Sequence, residues 1–321
     1  MKQAILNALS ALNISDYSMT EQQRSSAELF FIKKRLDMRR VKDTHEYSVT
    51  VYNVFEEDGK KFRGSSTVIL FPGTEAAEIT HQLEDAYNAA GYVKNPYYDL
   101  YEGHKEAVKE VPSTLSAHTL SQNAELMAAA LFAADTRDDA WLNSAEIFAC
   151  CDHISIFAST GTDVSYVKYS CKGEFVAQAK EPQDVEQYFS FTYNDLDTDA
   201  LADKVRHALN AVCDRAHATD CPEAGTYDVV LSDRHMATLM ELYVTRSRAA
   251  MIYPHYSDWE IGTAAQGEIT GRSAEHHAYA ARSVFAGGHT HARAHAAQGW
   301  HRAMHTRHNA LLPLPRHRAH W

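Results

Sequence analysis

Long hydrophobic runs are absent from this sequence of 321 residues. No stretch of about eighteen apolar residues occurs, so the sequence predicts no transmembrane helix. The first residues, MKQAILNALSALNISD, also lack the apolar core and small-residue cleavage site of a secretory signal. We therefore expect a cytoplasmic protein that has no membrane partner.

The sequence has few cysteines, and their number is odd. The five cysteines are Cys150, Cys151, Cys171, Cys213 and Cys221. Because no export signal accompanies them, they argue against a disulfide framework and favour reduced core thiols. Cys213 and Cys221 flank His217 at a C-x3-H-x3-C spacing, but no second close pair of ligands completes a tetrahedral zinc site. The spacing therefore gives weak support for zinc.

Positive charge is scarce over most of the chain. Residues 1–271 contain 24 Lys and Arg against 41 Asp and Glu, whereas residues 272–321 contain seven Arg and one Glu. An acidic body argues against nucleic-acid binding, which needs clustered cations to displace counterions from phosphates. The apolar fraction of 45% is that of a globular protein with a core.

Hydrophobic periodicity predicts an α+β domain over residues 1–100. A helix is expected at residues 2–12, and two strands between residues 47 and 70 flank a turn at residues 57–59. A second helix is expected to begin at Thr74, as its N-cap, and to stop at Gly91. Together these elements predict an antiparallel sheet with packed helices.

Residues 101–222 predict a middle α/β segment. A helix is expected at residues 120–134, followed by three strands, AEIFACC, HISIFAST and DVSYVKYSC, and by a helix at residues 197–216. Beyond this segment, YDVVLS predicts a short strand and DRHMATLMELYVTRSRAAMIY predicts a helix.

Three stretches resemble the TldD/PmbA family, which includes proteins called modulators of DNA gyrase and intracellular zinc metallopeptidases. They are FRGSSTVIL, LNSAEIFACCDHISIFASTGTDVSYVKYSCKGEFVAQA and AGTYDVVLSDRHMATLMEL. The match covers most of residues 25–270 in the family's order. It implies an N-terminal α+β domain, a middle segment and a β-rich C-terminal domain, in proteins that pair as dimers. Residues 223–271 would be the start of that last domain, which is incomplete here.

The resemblance also implies where a metal site would lie. Catalytic members hold zinc with a His-Glu-x-x-x-His motif on a helix and a distant cysteine, and the Glu can act as general base on the zinc-bound water. Here Glu241 keeps the glutamate position, whereas Met240 and Thr245 replace the two histidines, and no cysteine follows Cys221. The resemblance therefore implies no metal and no other cofactor in this chain, and leaves Glu241 as the candidate catalytic residue.

This pattern is similar to the PmbA type, also called TldE, which lacks the metal motif and pairs with a TldD-type catalytic subunit. We thus expect a non-catalytic subunit in peptide maturation or degradation, with a TldD-like subunit or a second copy as partner and unfolded peptides as substrates. Two alternatives stay open: an active zinc peptidase with unrecognised ligands, and a nonenzymatic binding module related to DNA gyrase modulation. The simplest interpretation of Met240, Leu242 and Val244 is packing in a core.

The composition changes abruptly after Gly271. Residues 272–321 contain twelve Ala, ten His and seven Arg, and no apolar periodicity persists. Our preferred hypothesis is that a frameshift replaced the native C-terminal domain with a disordered, non-native tail. A loose metal-binding arm through His289, His291 and His295, and a basic arm for nucleic acid, are the alternatives.

Overall fold

A computed structural model describes residues 1–103, 105–107, 111–227, 229–231 and 233–259. The helices are α1 (Lys2–Ala11), α2 (Ala76–Ala90), α3 (Leu120–Ala133), α4 (Thr198–Ala216), α5 (Asp233–Arg246) and α6 (Ala249–Ile252). The strands are β1 (Tyr17–Ile32), β2 (Arg35–Glu57), β3 (Lys60–Leu70), β4 (Lys105–Ala107), β5 (Ala140–Ala158), β6 (Asp163–Ala179) and β7 (Val185–Tyr193). A short 3-10 helix spans Thr114–Ala117.

The strands form one curled sheet in the order β3-β2-β1-β5-β6-β4, and β7 pairs with β6 further along that strand. Among the described residues, every strand pair is antiparallel except β4 with β6. The predicted α+β class is therefore confirmed. The middle segment contributes antiparallel strands, because β5, β6 and β7 follow one another through short connections that cannot make a parallel crossover.

The chain divides into two compact units, of which the first spans Met1–Thr219 and the second begins at Asp220. The predicted boundary near residue 100 lies inside the first unit. Strand β1, before that boundary, pairs with β5, after it, from Ser18 to Ile32. Sequence periodicity detects each strand but does not show which strands pair. For that reason the sequence pattern separated two halves of one sheet.

Two pairs of helices cover one face of the sheet in the first unit. Helices α1 and α2 enclose a core with the start of β1 and with β2; its members include Ile5, Leu9, Met19, Val49, Val51, Ile79 and Leu83. Helices α3 and α4 enclose a second core with β5 and β6; its members include Leu29, Met127, Leu131, Ile147, Phe175, Val205 and Leu209. Met19 and Leu29 are an even number of residues apart on β1, so both cores lie on the same face.

The predicted hairpin between residues 47 and 70 is confirmed. Strands β2 and β3 pair from Tyr47 opposite Leu70 to Glu57 opposite Lys60. At the turn, Asp58 and Gly59 have φ angles of 51° and 71°. Positive φ at both central residues is the conformation that Asp-Gly favours, since its twist matches that of the strands.

Several predicted boundaries were wrong. AEIFACC and HISIFAST are one strand, β5, because Asp152 pairs with Arg24 inside the sheet and does not make a turn. Thr74 does not cap α2; its hydroxyl donates to the carbonyl of Phe71, and Glu75 is the N-cap residue. The described residues of YDVVLS form no strand, and the helix predicted after it breaks between Arg246 and Ala249. A strand needs a neighbour, and no described strand lies beside this segment.

None of the helices in the described ranges is long and apolar enough to cross a bilayer. The predictions for residues 272–321, including the arm through His289, His291 and His295, lie outside the described residues.

Candidate functional site

The face of the sheet opposite the helices is polar and concave. Its lining side chains come from five strands and include Arg24, Ser26, Glu28, Arg40, Lys42, Phe148, Cys150, Lys172, Glu174, Ser190 and Thr192. They enclose a cavity of about 540 Å³. We call this surface, together with Glu146 and Asp152 on β5, the concave face.

Strand register explains why these side chains meet. Ser26 on β1 lies opposite Lys42 on β2 and opposite Cys150 on β5. Phe148 on β5 lies opposite Lys172 on β6. Because side chains alternate between faces along a strand, the residues between them, such as Ala27 and Ala149, point into the helix-covered core.

Several polar groups on this face are buried although they lie on the side away from the helices. Ser26, Glu28 and Asp152 are each at most 5% exposed. The curl of the sheet draws neighbouring strands together, and the longer Arg24 and Arg40 side chains lie over the carboxylates. Buried charges of this kind need partners, since an unpaired one costs several kcal/mol.

On the concave face, the buried carboxylates of Asp152 and Glu28 each have a guanidinium partner. Arg24 donates from Nε and Nη2 to the two carboxylate oxygens of Asp152, at 2.5 and 3.1 Å. Glu28 accepts from Arg40 and, at 2.9 Å, from the hydroxyl of Ser26. The hydrogen bonds to Asp152 raise the pKa of Arg24. The Arg24–Asp152 pair is bidentate and Arg40 contacts one oxygen of Glu28, so both pairs hold side chains of the face in place.

A second pair of carboxylates lies beside this network, and these two are not each paired with a guanidinium group. Glu146 on β5 is directly opposite Glu174 on β6, and Glu174 accepts a hydrogen bond of 2.7 Å from the hydroxyl of Tyr188. Burial, and then the negative charge of Glu174, raise the pKa of Glu146 above its ordinary value of 4.5. Arg40 opposes this shift but does not cancel it.

The Glu146→Gln variant is expected to be more stable than the parent protein at neutral pH. A carboxyl whose pKa is higher in the folded than in the unfolded protein contributes stability at pH values below its unfolded-state pKa. That contribution is lost as the pH rises through its folded-state pKa. Removing the charge should therefore raise the thermal midpoint by roughly 1 to 2 °C at pH 7 and by nothing near pH 4. Thermal denaturation at both pH values tests this, with the exposed Glu186→Gln as control. An equal shift at both pH values would contradict it.

The concave face is suited to binding a polar ligand. Lys42 and Lys172 are exposed and form no ion pair with any described residue, so their ammonium groups can contact an anionic or carbonyl oxygen. Burial raises the pKa of the Cys150 thiol, and Arg24 only partly opposes this. A thiol in that state is protonated at neutral pH and is a poor nucleophile.

Sequence reasoning missed this face. The signal was present as alternation of charge with small or apolar residues, in R-S-S-A-E at residues 24–28 and in R-V-K at residues 40–42. Such alternation also describes an ordinary solvated strand face, so the pattern alone does not reveal a cavity.

The predicted site residues lie in the second unit, on α5. Met240 and Thr245 are half-buried and Glu241 is exposed. The interpretation that Met240, Leu242 and Val244 pack in a core is wrong for Leu242, which is 53% exposed. Residues two apart on a helix are separated by about 200°, so these three cannot share one buried face.

In the described part of the chain, no three His, Cys, Asp or Glu side chains are arranged to hold a metal ion. The spaced residues Cys213, His217 and Cys221 do not form such a group. Cys213 is buried in α4, Cys221 is exposed, and Nδ1 of His217 lies 2.9 Å from the carbonyl oxygen of Cys213. All five cysteines are free and four are buried, so the expected core position is wrong for Cys221.

No family model and no curated protein matches the chain. Solved structures with a similar fold do exist. A modulator of DNA gyrase from Thermotoga maritima shares 11% identity with a TM-score of 0.51, over 69% of this chain and 50% of that one. A modulator of DNA gyrase from Bacteroides thetaiotaomicron shares 14% identity with a TM-score of 0.56, over 79% of this chain and 58% of that one. TldE from Thermococcus kodakarensis shares 13% identity with a TM-score of 0.47, over 64% and 47%.

The chain spans between 47% and 58% of the length of these proteins. At such low identity the similarity concerns the fold, and activity does not follow from fold. The chain has the fold seen in the gyrase modulators of Thermotoga maritima and Bacteroides thetaiotaomicron, as its resemblance to the TldD/PmbA family predicted.

Proposed function

We propose that this protein is the non-catalytic, TldE-like subunit of an intracellular peptidase that acts in peptide maturation or degradation. Its partner is a TldD-type subunit that supplies the zinc site. This chain supplies the surface that the partner subunit binds and, through its concave face, contacts to unfolded peptide.

Helix α5 provides the observation that carries this proposal. Its positions 240 and 245, where the resemblance expects zinc-binding histidines, hold Met240 and Thr245. Methionine is a poor ligand for Zn²⁺ and the threonine hydroxyl is neutral, so the remaining Glu241 has no metal-bound water to activate. A subunit of this kind requires a catalytic partner.

An exposed apolar surface on the second unit supports the need for a partner. Val229, Val230 and Leu231 precede α5, and Val230 is 96% exposed. On α5 itself, Met236, Leu239 and Leu242 are exposed. Apolar side chains gathered on a surface typically mark a site where another protein binds.

A second candidate is a nonenzymatic module that binds DNA gyrase. The names of the similar proteins from Thermotoga maritima and Bacteroides thetaiotaomicron favour it. The net charge of −11 makes direct binding to DNA the weaker version of this idea, so contact with gyrase itself would be expected.

Co-expression with an affinity-tagged TldD-type subunit tests the leading proposal. We expect the full chain to co-purify with that subunit, and cleavage of an unfolded peptide to require both proteins. Leu242→Asp should reduce co-purification, because it places a charge in the exposed apolar surface. The matched control Glu241→Gln should leave both co-purification and cleavage unchanged.

Three outcomes would redirect the assignment. Loss of cleavage in Glu241→Gln would identify this chain as a catalytic subunit. Capture of purified gyrase in place of the TldD-type subunit would favour the binding module. Cleavage by the TldD-type subunit alone at the same rate would remove the proposed role.

A further inference from the structure

Two lysines of the concave face differ from its other cations. The guanidinium groups of Arg24 and Arg40 already hold buried carboxylates of the protein. Lys42 and Lys172 line the same cavity, are exposed and form no ion pair with any residue in the described ranges. Their charges are therefore available to a ligand.

Strand register places these two lysines on opposite sides of the cavity. Lys42 on β2 lies opposite Ser26 on β1, and Ser26 lies opposite Cys150 on β5. Lys172 on β6 lies opposite Phe148, which precedes Cys150 by two residues and so shares its face of the sheet. Because the sheet is curled, the long flexible stems of the two lysines can bring both ammonium groups over the space between them.

The unpaired charges of the concave face are sorted by position. Glu146 and Glu174 lie opposite each other, and Glu174 follows Lys172 by two residues on β6. That spacing separates the carboxylate pair from the row of Lys172 by about 7 Å along the strand. The lysine end of the cavity is therefore positive, and a negative group of a ligand is favoured there rather than beside the two glutamates.

The rest of the lining suits a peptide better than a free inorganic ion. Exposed hydroxyls of Thr44, Ser190 and Thr192 border the cavity, and the half-buried ring of Phe148 forms part of it. Hydroxyls can donate to peptide carbonyls and accept from peptide N–H groups, whereas the ring offers an apolar contact. The cavity of about 540 Å³ also has the size of sites that hold a whole ligand and not a single ion.

We propose that the concave face selects acidic segments of unfolded peptides, with one Asp or Glu side chain of the peptide held between the ammonium groups of Lys42 and Lys172. The two oxygens of that carboxylate can each accept from one ammonium group. This inference rests on the proposed contact between the face and peptide, and it names the class of peptide.

The charge of the chain makes this preference distinctive. Residues 1–271 contain 24 Lys and Arg against 41 Asp and Glu, so their summed charge attracts basic peptides and repels acidic ones. A preference for acidic peptides would run against that general attraction. Within residues 1–271, it therefore requires a local positive site such as the lysine pair.

Fluorescence anisotropy with the full chain alone tests the preference. Three labelled, unfolded peptides of equal length carry Glu, Gln or Lys at every third position among Gly and Ser. We expect the Glu peptide to bind about tenfold more tightly than the Gln peptide, and the Lys peptide to bind more weakly than the Glu peptide. The affinity for the Glu peptide should fall as salt is added, because exposed charges are screened.

Substitutions of the two lysines test the site itself. Lys42→Met and Lys172→Met keep most of the stem, and each should weaken binding of the Glu peptide about three- to fivefold while leaving the Gln peptide unchanged. The matched control Lys60→Met loses the same charge at the turn between β2 and β3, which does not line the cavity, and should change neither. Lys172→Glu should strengthen binding of the Lys peptide, a gain that misfolding cannot produce. Circular dichroism should show that all four variants are folded.

The location of the bound peptide needs a separate measurement. Residues 272–321 contain seven Arg and one Glu, so they can also attract an acidic peptide. A Glu peptide that carries a photoreactive group, followed by mass spectrometry, should form cross-links to the segments of β1, β2, β5 and β6 that line the cavity.

The proposal is overturned if the Glu and Gln peptides bind equally, or if neither binds. It is also overturned if Lys60→Met weakens binding as much as Lys172→Met, or if the cross-links are confined to residues 272–321. None of these measurements includes the TldD-type subunit. A failed peptide preference therefore leaves co-purification with that subunit to be judged separately, and failed co-purification leaves the peptide preference standing.

Discussion

A chain shortened to end at Gly271 is expected to contain no stoichiometric zinc and to cleave no peptide by itself. The candidate motif on α5 has Met240 and Thr245 in place of two imidazoles, and a site without them lacks the nitrogen ligands that hold zinc in such enzymes. Without a bound metal, no water near Glu241 acquires a pKa near neutrality. The expected difference from a catalytic subunit is therefore complete loss of activity.

Metal content measured after mild chelation, together with a peptide-cleavage assay, checks this expectation. The shortened chain is needed because residues 272–321 contain ten histidines that can hold zinc loosely. The full chain serves as the control, and any zinc that it carries should be removed by the same chelation. Near-equimolar zinc that resists chelation in the shortened chain would show that ligands other than the expected histidines form a site.

Gly64→Ala is expected to be the most damaging single methyl addition to the first unit. A Cβ atom at Gly64 would lie 1.8 Å from the carbonyl oxygen of Ala90 and 2.6 Å from that of Val93. Both are backbone atoms at the end of α2, where the helix crosses β3. Because neither can move alone, α2 must shift off the core that Ile79 and Leu83 fill, at a cost of about 3 kcal/mol or more.

Chemical denaturation followed by fluorescence and circular dichroism measures this loss. The matched control is Gly225→Ala, whose added Cβ would meet the ring of Tyr227 at 3.3 Å or more, and a side chain can rotate away. We expect Gly225→Ala to change the free energy of unfolding by less than about 0.5 kcal/mol. Equal effects of the two substitutions would mean that the close approach of α2 to β3 is not a constraint on the fold.

The sequence by itself determined the local elements and the type of fold. Apolar residues at helical spacing in α1, α3 and α4, and the Asp58-Gly59 turn between β2 and β3, can be read because their signals depend on residues close in the chain. That Met240 and Thr245 stand where the resemblance expects histidines is also a sequence property.

Only the tertiary structure decided which strands pair and which polar residues meet. Arg24 and Asp152 are 128 residues apart in the chain, and nothing local to either indicates the other. The same holds for Gly64 beneath the end of α2 and for Leu242 outside any core. Local sequence sets the backbone preference of a few residues at a time. Strand register, by contrast, is fixed by burial summed over the whole sheet. The concave face therefore exists only once β1 lies between β2 and β5.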